Sequence, residues 1–159
     1  MNTETLETLI REQPFFSGLS SEHSALLVGC AKIVRFDAGA MIFRQGDPAS
    51  YFYVIRHGHV AIELPSAHGG AITIQTLSEG DVLGWSWLME PYRYRFDARA
   101  VMLTRVLSFD GVCLRKKCEE DATLGYHLFK RFSGAIAQRL EATRLQLLDL
   151  YGAPEGVRG

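Results

Sequence analysis

The sequence predicts an α+β domain in which an antiparallel β-core, a sandwich or barrel, is flanked by helices on both sides. Three observations predict it. Glycines punctuate the middle of the chain at Gly39, Gly46, Gly58, Gly69, Gly70 and Gly80, and the segments between them are rich in β-branched and aromatic residues. Short runs of that kind between turn residues read as strands that fold back on one another. Both flanks carry apolar residues at helical spacing, and the stretch from Asp110 to Tyr151 holds no proline to break a helix.

Three zones follow in order. In residues 1–32, Leu6, Leu9 and Ile10 mark one helix, and Ser20 or Ser21 can cap a second that carries Ala25, Leu26 and Leu27. Pro14-Phe15-Phe16 separates the two. Residues 33–109 form the β-core, with strand-like runs at Tyr51–Ile55, His59–Leu64 and Ala71–Leu77. Residues 110–151 open with Asp110 as the cap of a short helix, and Glu119, Glu120 and Asp121 then place negative charge at the expected start of a long helix. Leu124, Leu128, Phe132, Ile136, Leu140, Leu147 and Leu150 recur along it. From Ile136 through Leu140, Thr143 and Leu147 to Leu150 the steps alternate four and three, an a/d seam that expects a second copy of the helix and hence a homodimer. Residues 152–159 are expected to be a disordered tail.

Composition narrows the function. The 159 residues are 47% hydrophobic and 22% charged, which a disordered chain is not. Lys+Arg is 17 against Asp+Glu 18, so the chain lacks the basic excess of a dedicated nucleic-acid binder, and no direct DNA binding is expected. No apolar run is long enough to span a bilayer, and the first residues carry no secretory signal. The three cysteines, Cys30, Cys113 and Cys118, fit a reduced, cytoplasmic chain better than a disulfide framework.

One local pattern carries chemistry. Gly80-Asp81 makes a turn, Val82-Leu83 leads to Gly84, and Gly84 lets the backbone swing into a short helix, Trp85-Ser86-Trp87-Leu88. The first N–H groups of such a helix lack intrahelical partners and can meet an anion. Arg93, Arg95 and Arg99 follow a few residues on, and a guanidinium facing those N–H groups would complete a phosphate pocket.

Several motifs, in order, give a resemblance. Phe16-Ser-Gly-Leu19, Phe36-Asp-Ala-Gly39, Ile42-Phe-Arg-Gln-Gly-Asp-Pro48, Phe52-Tyr-Val-Ile55, Gly58-His-Val60, Gly80-Asp-Val-Leu-Gly84 and Ala98-Arg-Ala100 together resemble the cyclic nucleotide-binding domain of the catabolite activator protein (Crp/Fnr-like) family, over about residues 14–151. Arg139–Thr143 is similar to the start of that family's dimerisation helix. The resemblance implies a β-roll (a double-stranded β-helix, jelly-roll-like) and a ligand such as cyclic AMP or cyclic GMP. It also implies a base contact at Thr143 and signalling through the last helix. The site so implied comprises Leu83, Gly84, Trp85, Ser86, Trp87, Leu88, Arg93, Tyr94, Arg95, Asp97 and Thr143.

The sequence departs from the family at the site. The family's ribose-binding glutamate is Trp85 here, and an indole donates but does not accept, which leaves the usual ribose recognition without its acceptor. The family's phosphate-binding arginine falls on Tyr94, flanked by Arg93 and Arg95. Asp97 stands where a small or hydroxylated residue is usual, and it could pair with Arg95 or Arg99. Arg144 replaces a family serine. Trp85, Trp87, Tyr92, Tyr94 and Phe96 form an aromatic cassette that could stack a planar ligand or simply fill core. The family's DNA-reading helix-turn-helix has no counterpart in the few residues after Tyr151, so a stand-alone sensor is expected.

Other chemistries find less support. His57-Gly-His59 with Glu63 resembles a cupin metal motif, but Tyr51 stands where that motif has glycine and no later strand supplies another histidine, so no metal is expected. The cysteines are too few and too dispersed for an iron–sulfur cluster, and no cofactor is expected. Ser86 lacks the following glycine of a hydrolase elbow, Leu88 being there, so no enzyme is expected. Two functions remain: a cytoplasmic module that senses a cyclic or related phosphorylated nucleotide, or a dimeric scaffold that has lost nucleotide binding and docks a protein partner.

Overall fold

In a computed structural model, which describes residues 3–151, two four-stranded antiparallel sheets stack and a layer of helices covers one of them. Helices α1 (Thr3–Glu12) and α2 (Ser21–Val28) open the chain, with a 3₁₀ turn at Pro14–Phe16 between them. The strands are β1 (Ala31–Phe36), β2 (Met41–Phe43), β3 (Tyr51–His57), β4 (Val60–Pro65), β5 (Ala71–Leu77), β6 (Val82–Leu83), β7 (Asp97–Ala100) and β8 (Thr104–Asp110). A second 3₁₀ turn, Trp85–Leu88, lies between β6 and β7. Helices α3 (Gly111–Glu120) and α4 (Ala122–Tyr151) close the chain. The sheets run β1-β8-β3-β6 and β2-β7-β4-β5. The β-core therefore extends from Ala31 to Asp110. The tail at residues 152–159 lies outside the described residues. No helix among the described residues is long and apolar enough to cross a membrane.

Side-chain alternation builds two cores from one central sheet. Phe52 and Val54 of β3 and Leu107 and Phe109 of β8 point to the helices, while Tyr53, Ile55 and Val106 point between the sheets. That is why Phe52-Tyr-Val-Ile55 is apolar without a break: both faces are covered. Against the helix-side core, Leu124, Leu128 and Phe132 of α4 are fully buried. Each such side chain contributes about 1.5–3 kcal/mol, so the first half of α4 is firmly seated. The second half is not: Leu140 is 60% exposed and Leu147 49%. The side chain of Leu150, the last seam position, is outside the described part.

Caps set the helix starts. The Ser20 hydroxyl accepts from the His23 N–H at 3.1 Å, so Ser20 rather than Ser21 is the cap. Asp110 accepts from Cys113 N–H at 3.0 Å and Asp121 from Leu124 N–H at 3.1 Å. The long helix therefore starts after Asp121, and Glu119 and Glu120 close α3 instead of opening α4. At Gly58, φ is +108° and a Cβ would lie 2.7 Å from the Leu103 carbonyl oxygen, so this turn admits only glycine.

The cysteines overturn an expectation. Cys30 and Cys113 form a disulfide, with Cα atoms 5.8 Å apart and 83 residues between them in sequence. An odd count suggested free thiols, but the fold brings the residue before β1 against the first turn of α3. Cys118 remains free, its thiol pushed up to about 11 by burial.

Residues that suggested a cupin-like metal motif are otherwise engaged. His57 meets Glu79 at 3.2 Å. Glu63, 5% exposed, accepts from Arg99 Nη2 at 2.7 Å and Nε at 3.2 Å. The Arg99 hydrogen bonds hold the Glu63 carboxyl below its ordinary 4.5. A lowered carboxylate value adds stability that is present above about pH 4.5 and is lost as pH falls through the folded value. Thermal melts stepped down in pH should show Glu63→Gln less stable than the wild type near neutrality, with the gap closing in acid. A gap that stays constant would remove the pair's role.

Candidate functional site

The site is built where the two sheets part beside α4. Gly84 sits at φ +85°, and a Cβ there would come within 3.0 Å of the Tyr51 carbonyl oxygen and 3.3 Å of the Tyr94 ring. Glycine thus lets the chain pass close over β3 and enter the 3₁₀ turn. That turn is only four residues long, so it offers a few free N–H groups and little of the aligned dipole of a full helix.

The turn separates its two indoles. Trp87 is fully buried against the helix-side core, with ring centroids 5.3 Å from Phe52 and 5.7 Å from Phe132. Leu88 packs on the same core. Both were expected among the ligand-binding residues, yet their side chains point away from the site. Trp85 is only partly buried: it touches the edge of the same core and also borders a recess and a groove. Trp85, with Leu83, Gly84, Ser86, Tyr94 and Arg95, lines the recess between the sheets.

That recess is nearly filled. Its volume is about 20 Å³, room for about one water and none for a sugar phosphate. Tyr94 is one of the rings that line it. Its ring lies flat on Phe43, centroids 3.7 Å apart and planes within 7°. The Tyr94 hydroxyl donates to the Tyr51 carbonyl at 2.6 Å and accepts from the Tyr51 N–H at 3.2 Å. Burial pushes its phenol up to about 12, so it stays neutral at ordinary pH. The residue where the resemblance places an arginine is thus a fixed aromatic wall.

The flanking charges sort themselves. Arg93 Nη1 donates to the Gly46 carbonyl at 2.8 Å and lies outside the recess. Asp97 accepts from the Gln45 N–H at 2.8 Å, not from Arg95 or Arg99. Arg95 lines the recess with no hydrogen bond or ion pair to any described residue. It is the guanidinium available to an anion at this turn.

A residue from the far end of the sequence completes the site. Arg139 of α4 places its guanidinium carbon 4.3 Å from the Trp85 ring and donates from Nη2 to the Val82 carbonyl at 2.6 Å. Burial lowers its value to about 10, with the Asp81 charge working against that, so it remains a cation. Helical spacing beside Ile136, Leu140 and Thr143 was the available signal, since Arg139 lies on that face. Thr143 is committed locally: its hydroxyl donates to the Arg139 carbonyl at 3.0 Å. Between Ile74, Phe96, Trp85, Ile136, Leu140 and Thr143 runs an apolar groove of about 280 Å³, which shares Trp85, Phe96, Ile62 and Arg139 with the small recess.

Comparison with known proteins gives one consistent result. The family model described as the cyclic nucleotide-binding domain matches residues 33–121. A Rhodopseudomonas palustris protein named as a potassium channel is 27% identical over 91% of this chain and 34% of its own length. A CRP-like cAMP-activated global transcriptional regulator of Mycobacterium tuberculosis is 23% identical over 91% of this chain and 63% of its own length. A solved structure from Geobacter metallireducens, named for cyclic nucleotide binding, superposes with a TM-score of 0.75 at 26% identity and covers 88% of this chain and 98% of that one. The chain thus spans about a third of the channel and under two thirds of the regulator.

Proposed function

The chain belongs to the cyclic nucleotide-binding domain family, and on that premise we propose that it is a ligand-sensing module rather than a catalyst. It takes a cyclic nucleotide, or a related phosphorylated nucleotide, across the recess and the adjoining groove, and reports occupancy through α4. The observation that carries this is the stack of Arg139 on Trp85. Trp85 and Arg139 line both the recess and the groove, and Arg139 belongs to α4. A ligand that holds Trp85 and Arg139 apart therefore favours a different seating of the helix, and only such differential contact can shift the equilibrium. In this reading the anion meets Arg95 and the turn N–H groups, and the base lies against Trp85 and Phe96 in the groove. The unburied Leu140, Leu147 and Leu148 of α4 are where a second copy would pack.

A second reading rests on the 20 Å³ recess. A site so filled by its own rings suits a scaffold that keeps the fold and docks a protein partner. Calorimetric titration with cyclic AMP, cyclic GMP and linear nucleotides, with tryptophan emission followed in parallel, separates the two. Trp85 should respond and Trp87 should not. Silence up to millimolar ligand would leave the scaffold.

Arg95→Gln should weaken the nucleotide by about tenfold or more, because a hydrogen bond to a charged group is worth about 1.5–3 kcal/mol. Arg93→Gln should leave affinity within about twofold. Equal losses in both variants would remove the assignment to Arg95.

A further inference from the structure

Beside the disulfide a cleft of about 230 Å³ opens between Gly29, Lys32, Tyr51, Ser108 and the two joined cysteines. Cys30 is 7% exposed, whereas Cys113 is only half-buried. Both cysteines line the cleft, and Cys113 is the more exposed residue of the two. We propose that Cys30–Cys113 is a thiol–disulfide exchange site for small thiols, and that its redox state sets how α3 grips the Trp85–Leu88 turn.

The exchange balances simply. A small thiolate adds to Cys113 Sγ, and Cys30 Sγ leaves with the bonding pair and takes a proton. A second small thiol attacks the mixed disulfide on its own sulfur and frees Cys113 as a thiol. The protein pair gains two electrons and two protons while two small thiols become one small disulfide. Cys118 does not compete as a nucleophile, since burial keeps its thiol protonated.

The route from the sulfurs to the turn runs through α3. Its first residue, Gly111, sits so close to Trp87 that a Cβ there would lie 2.9 Å from the Trp87 Cβ. Arg115 Nη1 donates to the Trp87 carbonyl at 2.5 Å, and its guanidinium carbon lies 4.2 Å from the Tyr92 ring. Cys113 stands between these two contacts on the same helix. At the other end of the bridge, the Cys30 carbonyl accepts from the Asp110 N–H at 2.9 Å, directly before α3. With the bond open, the first turn of α3 keeps that hydrogen bond and its own cap, but loses its only covalent tie to the strand start. Lys117, which donates to the Leu26 carbonyl at 2.8 Å, holds the helix farther along.

The test uses the whole chain and needs no ligand. Oxidised protein is held in about 10 mM reduced glutathione under native conditions, then alkylated with a maleimide and weighed. The mass should show three labelled thiols after full unfolding, against one without glutathione, since only Cys118 is free in the bridged form. Hydrogen–deuterium exchange on the same samples should rise by about tenfold at Val112–Leu114 and at Trp87–Leu88, while β8 stays unchanged. The double variant Cys30→Ser/Cys113→Ser should show the fast pattern whether or not thiol is present; the wild-type measurement stands if that variant fails to fold. A bond that opens only after denaturation would overturn the exchange site. A bond that opens with Trp87–Leu88 exchange unchanged would overturn the link to the turn.

Discussion

Trp87→Ala should destabilise the protein by about 3–5 kcal/mol, the cost of emptying a large aromatic site in a packed core. No exposed surface softens the loss, because Trp87 is fully buried. Its ring is one of a set: Phe52 stacks on it at 5.3 Å and on Phe109 at 4.6 Å, and Phe132 meets Phe52 edge-on at 4.8 Å. Phe132 comes from α4 and Phe109 from β8, so the deletion loosens the helix-to-sheet contact as a whole. Trp87→Phe is the informative control. The Trp87 indole N–H is buried with no hydrogen-bond partner among the described residues, and an unsatisfied buried donor costs about 1–3 kcal/mol. Removing that donor offsets part of the lost ring volume, so Trp87→Phe should fall within about 1.5 kcal/mol of the wild type. Urea midpoints for the two variants check this. A mild Trp87→Ala would mean that the ring is not in the core. If nucleotide binding is established, Trp87→Phe should also leave affinity unchanged.

The pair Trp85 and Trp87 shows what the sequence could and could not say. The Gly84 turn was legible, because a glycine after a short strand marks a change of direction wherever a side chain cannot fit. Which indole faced the site was not, since two tryptophans two residues apart look alike until the type of turn is known. Arg95 and Arg93 pose the same difficulty. Their roles differ because the Gly46 carbonyl takes Arg93, and that oxygen belongs to a loop between β2 and β3 far away in sequence. Three strands were legible, the runs at Tyr51–Ile55, His59–Leu64 and Ala71–Leu77 matching β3, β4 and β5, and the unbroken apolar run at Phe52–Ile55 is what a strand buried on both faces demands; the other five were not placed one by one. The disulfide and the Arg139 contact were hidden for one reason. Each joins segments more than fifty residues apart, and no local spacing rule reports on such a meeting.

Arg139→Ala should separate ligand occupancy from the seating of α4. The side chain does two things at once. It donates to the Val82 carbonyl and covers the Trp85 face, so one residue of the helix touches both the strand and the turn that frame the recess. A charge-assisted hydrogen bond of about 1.5–3 kcal/mol and a cation–π contact of about 0.5–2 kcal/mol are lost together. Against this stands relief from burying a guanidinium, the same burial that lowers its value to about 10. The net destabilisation should therefore be about 1–3 kcal/mol, smaller than for Trp87→Ala. The sharper readout is optical. In a Trp87→Phe background, Trp85 is the sole emitter, and Arg139→Ala should shift its emission to the red and open it to iodide quenching. Arg139→Lys should give an intermediate result, because an ammonium keeps the charge but cannot lie flat on the ring and reach the carbonyl together. If nucleotide binds as proposed, Arg139→Ala should bind it at least as well, since the stack no longer has to be broken, yet exchange along Ile136–Leu147 should no longer respond to ligand. Unchanged quenching of Trp85 would show that Arg139 does not cover the ring, and a helix still responsive to ligand would place the coupling elsewhere on α4.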